Sequence, residues 1–221
     1  MTTDAGRNDL NQTDSRFAMK VMFPTFVAEA WYPDYEKIKQ SLLNRIRSLQ
    51  QEDSAGQDES AARYDRGYTS YFTRNRLYGE QTFSPLVDFI IRQAVRYSAM
   101  QSWDMEQYQP TMTSLWCNIN GTGSQHADHV HAYSHISGVF YIDCQQDSAP
   151  IRFKDPRPAR WMVPPPLRRS VPENALAMEI SPQEGKLLLF PSFLEHGVLP
   201  NQSQADRVSM SFNFEITPRK T

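Results

Sequence analysis

From Trp103 onward the chain is built of short runs of β-branched and aromatic residues, each closed off by Pro, Gly, Asn or Asp. That punctuation is the mark of strands joined by turns. The runs are TMTSLWCNIN, HVH at 129–131, ISGVFYID, PIRFKD, LAMEI, KLLLF and RVSMSFNFEI. About seven or eight short strands behind two helices predict a mainly β (α+β) fold: an antiparallel double-sheet jelly roll with N-terminal helices packed on one sheet. Between two of these strands, DPRPARWMVPPPLRRSVPENA cannot join a ladder, because proline has no N–H to donate. It reads as a long surface loop of the kind that serves as a lid or binding loop.

Ahead of the strands, KVMFPTFVAEAWY leans towards β structure but is broken by Pro24, which suits an edge strand. Ile38, Leu42, Leu43, Ile46 and Leu49 recur at helical spacing and predict one amphipathic helix; QQEDSAGQDES after it reads as a solvated loop. Ser84 offers a capping hydroxyl before Pro85 at the first helical position, and LVDFIIRQAVRYSAM continues as a second helix. Residues 1–17 are polar and aperiodic, which predicts a mobile tail, and 18–221 then form a single domain. Basic and acidic residues nearly cancel at a net charge of -2, so neither a nucleic-acid footprint nor a membrane-attracted surface is expected. The two cysteines, Cys117 and Cys144, are too few for a disulfide framework and read as reduced, half-buried strand residues. No signal core or span of about 18 apolar residues occurs. The expectation is a soluble cytoplasmic protein with small-molecule or protein partners, whose N-terminal helices pair two copies into a homodimer.

The segment QHADHVHAYSH holds two overlapping metal-binding patterns. On a regular strand alternate residues share a face, so His129 and His131 point one way while His126 and Asp128 point the other. His126-x-Asp128 would begin a facial triad with one carboxylate. His129-x-His131 would make an all-imidazole site, with His196 of FPSFLEHGV as third ligand and open positions for cosubstrate and oxygen. Each has a bland counterpart: an exposed histidine cluster, Asp128 as a turn residue or as the partner of a ligand imidazole, His126 and His135 as solvated or backbone-bonded histidines, and Glu195 as a surface carboxylate. In the last run Arg207, Ser209, Ser211 and Asn213 share a face opposite Val208, Met210, Phe212 and Phe214. A polar inward face implies a ligand-filled interior, and the planar fork of Arg207 with the Ser209 hydroxyl beside it suits a carboxylate. Tyr141 and Asn118, on neighbouring runs, suit the same anion, although such residues equally serve as core or bond local backbone. Met178, Met210 and Phe212 read as core.

The stretches HVHAYSHISGVFYI, FPSFLEHGVLPNQSQADRVSMSFNFEI and WCNIN resemble the 2-oxoglutarate- and Fe(II)-dependent oxygenases that carry H-x-H, SGVYY and FPSWLxHxVxPN motifs. The resemblance covers about residues 20–216 and departs from the family pattern at His126 and Asp128. It implies a double-stranded β-helix, Fe(II) held by His129, His131 and His196, and 2-oxoglutarate clamped by Arg207 and Ser209, with Tyr141 and Asn118 beside it. The implied reaction uses molecular oxygen to convert 2-oxoglutarate to succinate and carbon dioxide while hydroxylating a small molecule or peptide side chain. Ligand imidazoles must be neutral, so iron affinity is expected to fall below about pH 6.5. Two rival readings stand beside it. A three-histidine cupin-type dioxygenase without 2-oxoglutarate would use Arg207 for the substrate's own carboxylate and consume oxygen without forming succinate. A non-catalytic jelly-roll binding module would hold a closed structural metal or none. Arg157, Arg160, Arg168 and Arg169 in the proline-rich loop suit an anionic partner.

Overall fold

The computed structural model describes residues 18–64 and 66–219; the tail expected at 1–17 lies outside them. In chain order the main elements are β1 (Ala28–Trp31), α1 (Glu36–Glu52), α2 (Ser54–Arg63), β2 (Gly67–Thr69), α3 (Ser84–Met100), β3 (Tyr108–Asn120), β4 (His126–His129), β5 (Ile136–Asp143), β6 (Ile151–Lys154), β7 (Ala177–Ile180), β8 (Lys186–Pro191), β9 (His196–Val198) and β10 (Arg207–Pro218). A six-stranded sheet has the order β1-β8-β5-β10-β3-β2, and a four-stranded sheet the order β4-β9-β6-β7. Every pairing between these strands is antiparallel. The two sheets make the double-stranded β-helix.

The alternation of β10 decides how the layers stack. Val208, Met210, Phe212 and Phe214 are fully buried in one cluster with Leu42, Ile46 and Leu49 of α1 and Leu86, Phe89 and Ile90 of α3. Fully burying each of these large side chains is worth about 1.5–3 kcal/mol, which fixes both the register of the strand and the face the helices cover. The other face of the large sheet meets the small one: Val139, Tyr141, Leu188 and Phe190 pack on Ile151, Phe153 and Leu194. Arg207, Ser209, Ser211 and Asn213 therefore face the space between the sheets, opposite Asn120, Asn118, Trp116 and Ser114 of β3. Gly138 of β5 sits where β10 and β8 close in: a Cβ there would collide with the Phe212 ring and the Leu188 carbonyl oxygen. Gly138→Ala is expected to cost roughly 3 kcal/mol by overpacking, read as a melting temperature lower by about 6–12 °C.

Several expectations need correction. QQEDSAGQDES is not a loop; it supplies most of α2. The Asp53 carboxylate accepts from the Gly56 amide at 3.1 Å, the Tyr68 hydroxyl at 2.8 Å and the Thr73 hydroxyl at 2.6 Å, so a tertiary network starts this helix. Its buried residues are only Gly56 and Ser60, which leaves no apolar stripe to read. Ser84 is the first residue of α3 and makes no capping hydrogen bond, while Pro85 occupies the first turn as expected. Met178 is 40 % exposed rather than core, because β7 ends the small sheet. Cys117 is fully buried, not half-buried; both cysteines are free thiols. The proline-rich segment is a surface loop braced from within. Asp155 pairs with Arg157 and Arg160, and Arg160 donates to the carbonyls of Glu173 and Asn174. Among the described residues no helix is long and apolar enough to cross a membrane.

Candidate metal centre

Three imidazoles meet between the sheets. Nitrogen atoms of His129, His131 and His196 all lie within 4.8 Å of one another, and the ring centroids are 5.0 Å (129–131), 4.4 Å (129–196) and 5.2 Å (131–196) apart. The route by which two of them get there differs from strand alternation. The strand here is His126–His129, not the HVH run; His131 follows it, before a turn that passes through Tyr133 at φ +64°. The His131 amide bonds the Ser192 carbonyl at 3.0 Å, so the turn after β8, which leads to His196, also pins the segment carrying His131. His196 comes in on β9 directly opposite His129, its ring against Phe190 at 4.6 Å and Phe153 at 6.0 Å.

The rule that His126 and His129 point to opposite faces also fails. A register shift lies between them, with His126 opposite Val198 and His129 opposite His196, so three steps on β4 match two on β9. Such a bulge re-aims side chains, and the His126 ring ends 4.3 Å from that of His129 and 5.2 Å from Tyr64. Asp128 turns away. Its carboxylate pairs with Lys154 at 2.7 Å and Arg152 at 3.0 Å over Gly197, whose missing side chain leaves it room. The hydrogen bond from Lys154 leads in holding that carboxyl below its usual pKa. Asp128 thus neither joins the imidazoles nor holds one. Glu195 pairs with Lys154 at the surface, and His135 accepts from the Ile216 amide.

The donor set fits a divalent metal. Nδ1 of His129 lies 2.8 Å from the Ala127 carbonyl, and Nδ1 of His196 lies 2.8 Å from the Leu194 carbonyl. A carbonyl only accepts, so both Nδ1 atoms carry a proton, and the neutral ring held this way offers its lone pair at Nε2, the form a metal needs. Burial pushes the His131 imidazole down to about 3, aided by His196 and His129; burial also pushes His196 down to about 4. Both therefore stand neutral in the metal-free protein. Their folded values lie below the unfolded value near 6.5, so on acidification the unfolded chain takes up protons first and stability falls. Between pH 7 and 5.5 the metal-free protein is expected to lose about 1–2 kcal/mol, discounted for the part-exposed His131. Urea midpoints at the two pH values check this; equal midpoints would mean the folded imidazoles take up protons freely.

A buried arginine faces the same inter-sheet space. Arg207 is 2 % exposed, and among the described residues it forms no carboxylate pair. Its Nη1 reaches only Asn120 Oδ1 at 3.3 Å and the Ser209 hydroxyl at 3.4 Å, and its Nε is buried without a partner. The guanidinium carbon lies 5.0 Å from the Tyr141 ring centroid, and the Tyr141 hydroxyl is likewise buried and unpartnered. Burial raises the Tyr141 pKa, which nearby Arg207 partly offsets. Buried donors left open beside a lone positive charge are what a bound carboxylate would satisfy. Asn118 is largely committed: its oxygen accepts from Thr69 at 2.8 Å and its NH2 donates to Ser211 at 3.0 Å. Two further residues carry no motif of their own: Asn120, which WCNIN places on the Asn118 face, and Asn213, whose amide meets His131 at 3.3 Å.

The double-stranded β-helix thus brings three imidazoles together between its sheets, and the buried Arg207, which among the described residues forms no carboxylate pair, faces the same inter-sheet space. Residues 114–213 match the family model described as "Putative 2OG-Fe(II) oxygenase", a span that contains all three histidines and Arg207. Over that span, just under half of its length, the chain is similar to the 2-oxoglutarate- and Fe(II)-dependent oxygenases. Solved structures share the fold at low identity. A prolyl-4-hydroxylase of Pseudomonas putida is 15% identical with a TM-score of 0.57, covering 88% of this chain and 93% of its own. A prolyl hydroxylase of Trichoplax adhaerens, solved with a hypoxia inducible factor oxygen degradation domain peptide fragment, is 14% identical at 0.54, covering 86% and 83%. HygX of Streptomyces hygroscopicus, with nickel, 2-oxoglutarate and hygromycin B bound, is 13% identical at 0.52, covering 86% and 82%. No curated protein sequence matches the chain.

Proposed function

We propose that His129, His131 and His196 hold the Fe(II), that Arg207 and Ser209 anchor the distal carboxylate of 2-oxoglutarate, and that the enzyme hydroxylates a small molecule or a peptide side chain. When bound, the iron with 2-oxoglutarate and O2 supplies the oxidation: the cosubstrate leaves as succinate and carbon dioxide, and one oxygen atom enters a substrate C–H bond. The chain's own residues do the rest. Two backbone carbonyls hold two imidazoles with Nε2 free, Phe153 and Phe190 wall His196 off from water, and the Arg207 guanidinium and Tyr141 hydroxyl supply donors for a carboxylate. The observation that carries the reading is the buried Arg207, which among the described residues has no carboxylate partner and leaves its Nε open, facing the same inter-sheet space as the imidazole cluster. Fe(II) and 2-oxoglutarate added without oxygen should give the weak visible absorption of a chelated keto acid, and admission of oxygen should then yield succinate. Oxygen uptake without succinate would select the three-histidine dioxygenase instead. A reducing cytoplasm suits both Fe(II) and the free thiols of Cys117 and Cys144.

A further inference from the structure

His131 is held differently from its two neighbours, and the difference assigns a task to Asn213. A backbone carbonyl, fixed and acceptor-only, meets Nδ1 of His129 and of His196. Nδ1 of His131 instead faces the side-chain amide of Asn213, 3.3 Å from Nδ2. Behind that amide stands a relay. The Ser137 hydroxyl donates to Asn213 Oδ1 at 2.8 Å and lies 2.8 Å from the Ser192 hydroxyl. Ser192 in turn takes the His131 amide proton on its carbonyl. Ser137 and Ser192 are buried, and Asn213 is 7 % exposed, so water does not take over these bonds.

With NH2 facing Nδ1, the neutral His131 ring keeps its lone pair on Nδ1 and its proton on Nε2, the tautomer that blocks a metal at Nε2. A metal there requires the proton on Nδ1, hence an acceptor facing it. An amide has nearly the same shape either way round, so a half-turn about its last bond brings Oδ1 to His131 and NH2 to Ser137. Ser137 then accepts from Asn213 and donates to Ser192, and no buried group is left unpaired. We propose that Asn213, backed by Ser137 and Ser192, is a positioning residue that selects the tautomer of His131, its amide turning over when the metal enters. This rests on the ligand set proposed above.

Two measurements test it, neither of them activity. Long-range 1H–15N spectra of the metal-free protein should show His131 protonated on Nε2 but His129 and His196 on Nδ1; Asn213→Asp, which can only accept, should move the His131 proton to Nδ1. An unchanged His131 tautomer in that variant would overturn the inference. Co(II) titration should show Asn213→Asp binding at least as tightly as wild type and Asn213→Leu about 10–100-fold more weakly. Leu binding like wild type, or Asp losing as much as Leu, would overturn it too. If the Leu variant does not fold, Asp against wild type decides alone, a tenfold loss counting against the relay. Wild type failing to bind Co(II) at all would instead remove the ligand set, and this inference with it.

Discussion

His129→Ala is expected to abolish the visible band formed by Fe(II) and 2-oxoglutarate and to weaken metal binding by at least about 100-fold, more than the loss of a supporting residue around a ligand causes. The variant removes one of three imidazoles that sit mutually within 4.8 Å and leaves a pair that cannot enclose an ion on one face. Asp128→Ala is its control. That carboxylate engages Lys154 and Arg152 on part-exposed side chains, so losing it should cost no more than about 1 kcal/mol of stability and leave the band in place. The comparison is sharp because both residues lie on β4, one position apart, and a general disturbance of that strand would touch both. A band that survives in His129→Ala and vanishes in Asp128→Ala would transfer the metal to the other pattern in the segment and refute the all-imidazole assignment.

Much of this arrangement is legible in sequence, in places for the wrong reason. The polar and apolar alternation of RVSMSFNFEI states which face of β10 meets the helices, because burying four large apolar residues leaves no other choice. It also places Arg207, Ser209 and Asn213 on the inter-sheet side. Alternation pairs His129 with His131, yet His131 is not on the strand, and the turn that carries it is tied to Ser192, a contact between residues 61 positions apart by number (131 to 192) that no local pattern encodes. The bulge between His126 and His129 is invisible for a related reason: it depends on register against β9. The helix at 54–63 leaves no periodic signal because it is started by Asp53, Tyr68 and Thr73 together rather than by an apolar stripe. Where periodicity and burial act together the sequence is readable; where a side chain's place depends on a distant partner, it is not.

Arg207→Met should separate affinity from stability, with effects of opposite sign. In the wild type a guanidinium is buried with no carboxylate partner among the described residues and an unsatisfied Nε, which is costly, and replacing a buried uncompensated charge with an apolar side chain of similar length often stabilises a fold. The metal-free, ligand-free variant should therefore melt at or above the wild-type temperature. Affinity for 2-oxoglutarate should fall by about 200- to 5,000-fold, since a buried charge pair that loses one partner loses roughly 3–5 kcal/mol. Thermal shift makes both readable on one sample series: 2-oxoglutarate at 100 times its dissociation constant should stabilise the metal-loaded wild type by about 2.7 kcal/mol and the variant by almost nothing at the same concentration. Arg207→Lys should fall between, because an ammonium restores the charge without the planar fork. Co(II) affinity should stay unchanged in both variants, as neither touches an imidazole. A variant that melts well below wild type yet binds 2-oxoglutarate normally would make Arg207 a structural residue held by Asn120 and Ser209, and the anion would have to bind elsewhere.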